Sequence, residues 1–161
     1  MKTLFVGRGW LLTGALASLF VACSSLVHPF GAPKRVEGHK QLPSAELTLS
    51  PEINAALRRS CTDCHSNQTV WPWYSYVAPA SWLVERDVQN GRQHINFSEW
   101  DQYTFKQREK LFADIASAVK NGEMPVPQYT LVHRYAKFSD ADRDMVYGWA
   151  RLERRKLRAA R

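Results

Sequence analysis

Only three cysteines occur in the 161 residues, and no second Cys-x-x-Cys or His-x-x-x-His pair accompanies them. A four-ligand zinc site therefore lacks donors. A Gly-rich phosphate loop, a Ser-His-Asp arrangement and a paired acidic motif are missing too, which leaves hydrolase and transferase readings without support. No stretch alternates apolar and polar residues as a half-buried strand does, and no internal repeat is found. Eight glycines, eight prolines and 45% apolar residues exclude collagen, coiled coil and disorder as the main description. What remains is one small all-α domain with loops.

Net charge is also missing where a fold would lie. The chain carries +7, which alone invites a nucleic-acid or anionic-membrane partner. Residues 1–23 hold +2 and residues 151–161 hold +5, so residues 24–150 are neutral. Nucleic acid drops out as an expected partner.

The N-terminus reads as an export signal: Lys2 and Arg8, a charge-free apolar stretch, then Leu19-Phe20-Val21-Ala22-Cys23 and Ser24-Ser25. A small residue before a cysteine is similar to a bacterial lipoprotein signal, with Cys23 as the lipidated first residue, although Phe20 stands where that pattern prefers Leu. Cleavage after Ser24 is one alternative. A retained anchor is another, because the uncharged run of residues 9–27 matches the length of a bilayer-spanning helix. Residues 1–23 are thus expected to be signal or anchor, and residues 24–46 a Pro/Gly-rich linker with Pro29, Gly31, Pro33, Gly38 and Pro43. His28 and His39 read as solvated linker residues. The expected location is the periplasmic side of a membrane, with the N-terminus as tether.

The folded part, residues 47–150, reads as four helices. Ser50-Pro51-Glu52 starts the first, which runs into Cys61. A second follows Pro79 and stops at Asn90-Gly91. Thr104 and Gln107 form a capping box for a third, whose Phe105, Phe112, Ile115 and Val119 make one stripe. Ser139 and Asp142 cap the last, with Met145, Trp149 and Leu152 on its face, and residues 151–161 continue it as a basic tail. That tail is either a contact for anionic lipid or an acidic partner, or a solvated, frayed end. Long loops at residues 66–78 and 123–138 hold Trp71, Trp73, Tyr74, Tyr76, Tyr129 and Tyr135, as if covering a large apolar object.

Cys61-Thr62-Asp63-Cys64-His65 supplies that object. It is Cys-x-x-Cys-His, the attachment sequence for c-type haem. Two thiols three residues apart lie on one side of a helical turn and reach two vinyl groups on one porphyrin edge. The next residue, His65, then falls beneath the iron as proximal ligand. A thioredoxin-like dithiol would come with a βαβ pattern, which is absent. A plain structural disulfide would make the adjacent histidine a coincidence. The expected cofactor is one covalently attached haem c, held by Cys61, Cys64 and His65. Met124, in Gly122-Glu123-Met124-Pro125, is the favoured sixth ligand because a thioether suits reduced iron. His94, His133 or an open position are the alternatives, while Met145 reads as core. Arg86 and Arg92 are candidate propionate partners, with ordinary solvated charges as the simpler reading.

The runs Cys61-Thr62-Asp63-Cys64-His65-Ser66-Asn67, Trp71-Pro72-Trp73-Tyr74-Ser75 and Ala78-Pro79-Ala80-Ser81-Trp82-Leu83 resemble the bacterial haem-binding domain family, exported cytochrome c-like monohaem proteins. Gly91-Arg92-Gln93-His94-Ile95-Asn96-Phe97-Ser98-Glu99-Trp100, the Met124 loop and the helix around Trp149 fit as well, over residues 47–150. The resemblance implies haem binding and, less directly, electron transfer with a redox partner protein. The expected role is accordingly a tethered cytochrome c-like carrier rather than an enzyme, with Trp71, Trp73, Tyr74 and Trp82 keeping water from the haem. The alternatives are a haem enzyme or gas sensor with an open sixth position, or an accessory haem module of a larger redox complex.

Overall fold

The computed structural model describes residues 3–34, 42–43 and 47–160, with side chains from residue 9 onward. Gly38 and His39 of the expected linker, Lys2 and Arg161 lie outside the described residues. All regular structure among the described residues is helical. The four helices expected from the sequence are present as α2 (Pro51–Ser60), α4 (Ala80–His94), α5 (Phe105–Lys120) and α7 (Asp140–Ala159). Added to them are α1 (Thr3–Ser24), the one-turn α3 (Thr62–His65), α6 (Pro127–Val132) and three 3-10 turns. The long loops are therefore not structureless: Trp73–Tyr76, α6 and Arg134–Ala136 organise them.

Contacts divide the chain into two units, Met1–Arg35 with Val70–Asn90, and Val36–Thr69 with Gly91–Arg161. In the first unit the described side chains of α1 are largely exposed. No helix among the described residues is long and apolar enough to cross a membrane.

The segment after α1 was expected to be a free linker, yet residues 25–34 are fastened down. Ser25 Oγ accepts from the Ala78 N–H at 2.9 Å, and the Trp82 and Trp71 indoles donate to the Val27 and Lys34 carbonyls at 2.8 and 2.9 Å. His28, read from the sequence as solvated, has its Nδ1 2.6 Å from Glu85 Oε1. Glu85 is 1% exposed, and its Oε2 has no hydrogen-bond partner among the described residues. Burying a carboxyl group in this way requires the histidine, because an unpartnered buried acid pays its full desolvation cost.

In the second unit, the Ser50 side chain caps α2 by accepting from the Ile53 N–H, and Ile53, Ala56 and Leu57 turn inward. Complete capping boxes, Thr104 with Gln107 and Ser139 with Asp142, start α5 and α7 as the sequence predicts. The two long helices meet through Phe112 and Trp149, whose rings cross edge to face at 5.6 Å. Trp100, 2% exposed, joins the same core in a 3-10 turn and contacts Phe112 at 5.2 Å. The buried stripe of α7 is Val146, Trp149, Ala150 and Glu153, with Met145 packed at its edge, so Trp149 and Met145 of the face read from the sequence do turn inward. Leu152 is exposed, and Glu153 stands inside because Lys156 Nζ pairs with it at 2.8 Å.

The basic tail is not frayed. Helix α7 continues to Ala159, and Arg154 and Arg158 both pair with Glu109 of α5, at 3.4 and 2.6 Å.

Replacing His28 by Ala strands the Glu85 carboxyl group and is expected to cost about 2–3 kcal/mol. Adding Glu85→Gln should recover part of that loss. Thermal unfolding of the two variants checks this, and an unchanged midpoint for His28→Ala contradicts it.

Candidate functional site

The cysteine motif sits where α2 breaks. Cys61 leaves helical geometry (φ −123°, ψ −42°), and α3 restarts at once. Thr62 Oγ1 donates back to the Arg58 carbonyl and Ser66 Oγ to the Thr62 carbonyl, at 2.9 and 2.7 Å. The one-turn helix closes with the Cys64 and His65 N–H groups on the Cys61 carbonyl. Cys61 and Cys64 are not joined to one another in a disulfide. Burial pushes the Cys61 thiol up to about 12, with the neighbouring Cys64 adding to the effect and Arg59 opposing it. The neutral thiol is therefore favoured over the thiolate at this position.

His65 is oriented from behind. Its Nδ1 lies 3.1 Å from the Ile95 carbonyl oxygen. A carbonyl only accepts, so Nδ1 carries the proton and Nε2 keeps its lone pair for a metal. Burial lowers the His65 pKa, which keeps the ring neutral as a ligand must be.

This hydrogen bond needs the end of α4 close to the motif. The sequence reading ended α4 at Gly91, but the helix runs on to His94. Gly91 is not a helix stop. A Cβ placed there would stand 2.6 Å from the Cys64 carbonyl oxygen and 3.0 Å from Cys64 Cβ. The glycine is required by backbone approach.

Cys61 and His65 open on a cleft with about 750 Å³ of atom-free space, part of it solvent. Leu57, Leu111, Ile115, Val119 and Val146 form much of its wall, and Met124 and His94 line it as well. Helix α5 places Met124. At its end Gly122 (φ +73°) reverses the chain, the Glu123 N–H returns to the Ala118 carbonyl and the Gly122 N–H to that of Val119. That pair is a Schellman turn, and Met124 N also reaches the Ala118 carbonyl at 3.2 Å. Just beyond, Tyr129 Oη donates to Asp63 Oδ2 at 2.7 Å, linking the Met124 segment to the interior of the cysteine motif. Burial, followed by this bond, raises the Tyr129 pKa.

Other sequence candidates are placed elsewhere. His133 is absent from the cleft wall, stacked on Tyr129 at 4.3 Å with its Nδ1 3.2 Å from the Tyr129 carbonyl. Arg92 donates to the Ser66 carbonyl and Thr69 Oγ1 and does not line the cleft, and Arg86 pairs with Asp87. Within the first unit the Trp71 and Trp82 indoles bond backbone carbonyls, and Trp73 is 78% exposed. Aliphatic side chains of α2, α5 and α7 supply the cleft wall.

A family model described as a haem-binding domain matches residues 20–152. The chain belongs to the haem-binding domain family. No curated protein and no solved structure matches it. This haem-binding domain begins earlier than the resemblance read from the sequence, so Phe20-Val21-Ala22-Cys23 lies inside the match. The chain binds haem. The donor set fits that group: two thiols on one turn, an imidazole with Nε2 available, a thioether and an apolar wall, all in one unit.

Sequence reasoning missed Gly91, Ile95, Asp63 and Tyr129. Ile95 acts through its backbone, which no side chain announces, and Gly91 resembles a helix stop until Cys64 is seen against it.

The Gly91→Ala variant gives a test by sign. Helix propensity alone would stabilise the protein by up to about 1 kcal/mol. The clash with Cys64 should instead destabilise it by about 1–3 kcal/mol and lower the haem bound per chain. Thermal unfolding and the haem-to-protein ratio check the outcome.

Proposed function

We propose that the protein is an exported monohaem cytochrome c-like electron carrier, with haem attached covalently and the N-terminus as membrane tether. The observation that carries this reading is that Met124, distant in sequence, lines one apolar cleft with Cys61 and His65. Bound haem supplies a one-electron iron couple. Cys61 and Cys64 supply the thiols for two thioether bonds, so a small domain keeps the cofactor without a deep enclosing pocket. His65, fixed as the Nδ1–H tautomer, would hold the iron through Nε2. Met124 would supply a second donor, a soft sulfur that favours the reduced metal. Leu57, Leu111, Ile115, Val119 and Val146 exclude water, which lowers the local dielectric and holds the couple apart from side reactions. The redox partner is a protein.

The N-terminal part of the proposal rests on the small-residue-then-cysteine pattern at Ala22-Cys23 and on the apolar run before it. Cys23 stands two residues before Ser25, where the fastened segment begins. A lipid on Cys23 would thus hang from a segment that is itself fastened to the first unit. Mass spectrometry of the mature N-terminus should find a lipidated Cys23, and an intact Met1 on a soluble cytoplasmic protein contradicts export.

The carrier reading is tested on the oxidised holoprotein. It should be low-spin, show the weak far-red charge-transfer band of a thioether–iron bond, and lose that band in Met124→Ala. A high-spin spectrum with rapid carbon monoxide binding in the unaltered protein would instead assign an open sixth position, as in a haem enzyme or sensor.

A further inference from the structure

Behind His65 lies a polar cluster that haem contact does not explain. Asn96 is 3% exposed, yet its amide is fully used. Nδ2 donates to Asn67 Oδ1 at 2.8 Å and to Glu99 Oε1 at 2.9 Å, while Oδ1 accepts from the Ser98 N–H at 3.1 Å. Asn67 donates its own Nδ2 to Glu99 Oε1 at 3.2 Å and its backbone N–H to Ser98 Oγ at 3.0 Å. The cluster thus stitches the residues following the cysteine motif to the segment following α4.

It converges on one peptide group. The Ile95 carbonyl accepts from His65 Nδ1, and the N–H of the same peptide, on Asn96, donates to Tyr103 Oη at 2.9 Å. A hydrogen bond accepted at one end of a peptide group strengthens the bond made at the other. Tyr103 is itself held: its ring meets Trp100 edge to face at 5.9 Å, and its carbonyl accepts from Arg108 Nε at 2.9 Å.

We propose that Tyr103, with Asn67, Asn96 and Glu99, forms a positioning relay for the proximal histidine, acting through the Ile95–Asn96 peptide to set how strongly the imidazole donates to iron. The inference rests on His65 being the axial ligand. The Tyr103 hydroxyl draws on the Asn96 N–H, the Ile95 oxygen becomes a better acceptor, and the Nδ1 proton is pulled further from the ring. The imidazole then donates more charge through Nε2, which favours oxidised iron and lowers the reduction potential. The Asn67–Asn96–Glu99 cluster keeps the peptide at one angle, so that one strength of this bond is populated.

The test uses the holoprotein, with two readouts: the midpoint potential and the NMR position of the His65 Nδ1 proton in the reduced state. Tyr103→Phe removes the acceptor of the Asn96 N–H. It is expected to raise the reduced-to-oxidised ratio at fixed poise about threefold to tenfold, roughly 30–60 mV at about 59 mV per tenfold, and to move the proton upfield. Tyr147→Phe, which removes a hydroxyl bonded only to Arg151 among the described residues, serves as control and should leave both readouts unchanged. If Tyr103→Phe does not accumulate as holoprotein, Asn67→Ala is the second variant and should split or broaden the proton resonance. Native potential and proton position in the variant obtained overturn the relay. A His65→Ala protein that keeps the native low-spin spectrum overturns the ligand assignment instead, and the relay with it.

Discussion

The hydrogen bond between His65 Nδ1 and the Ile95 carbonyl, at 3.1 Å, is the constraint around which the second unit is arranged. A histidine that serves a metal must hold one nitrogen protonated and the other free, and here a backbone oxygen enforces that choice. The oxygen is available only if the end of α4 lies directly against the cysteine motif. Gly91 permits the approach by having no Cβ to meet Cys64. Arg92 then clamps the Ser66 carbonyl and Thr69, while Asn67 and Asn96 close the far side. Gly91, Arg92, Ile95 and Asn96, at the helix end and its exit, thus serve one imidazole.

The opposite wall of the cleft follows from ordinary helix chemistry. Capping boxes fix where α5 and α7 begin, the Phe112–Trp149 contact fixes their pairing, and the Schellman turn at Gly122 decides that the chain returns with Met124 at the cleft. The bond from Tyr129 to Asp63 binds the two walls at the motif itself. Asp63, one of the two unspecified residues between the cysteines, is therefore a structural partner of the Met124 segment.

Charge sharpened in the same way. The surplus that first suggested nucleic acid is concentrated at the chain ends, and within α7 much of it is spent internally. Glu109 takes Arg154 and Arg158, and Glu153 takes Lys156.

Features with a local sequence rule were legible before the fold was seen. The four main helices, their caps and the Cys-x-x-Cys-His motif each depend on residues within a turn of one another. The features that failed depend on distant contacts. His28 looked solvated because nothing nearby in sequence announces Glu85. The Trp71 and Trp82 indoles donate to carbonyls of the N-terminal segment, partners that nothing near them in sequence announces. On the face of α7 read from the sequence only Leu152 turns outward, while Glu153, polar by composition, is buried through its pair with Lys156.

The central claim is that Cys61 and Cys64 carry the haem and His65 lies beneath it. Proteolysis of the protein matured with a c-type assembly system, followed by acid extraction and mass spectrometry, tests it most directly. The account predicts a peptide containing residues 61–65 whose mass is raised by one haem through both sulfurs. The same peptide recovered with two unmodified thiols, and haem removed wholly by the acid, would contradict it.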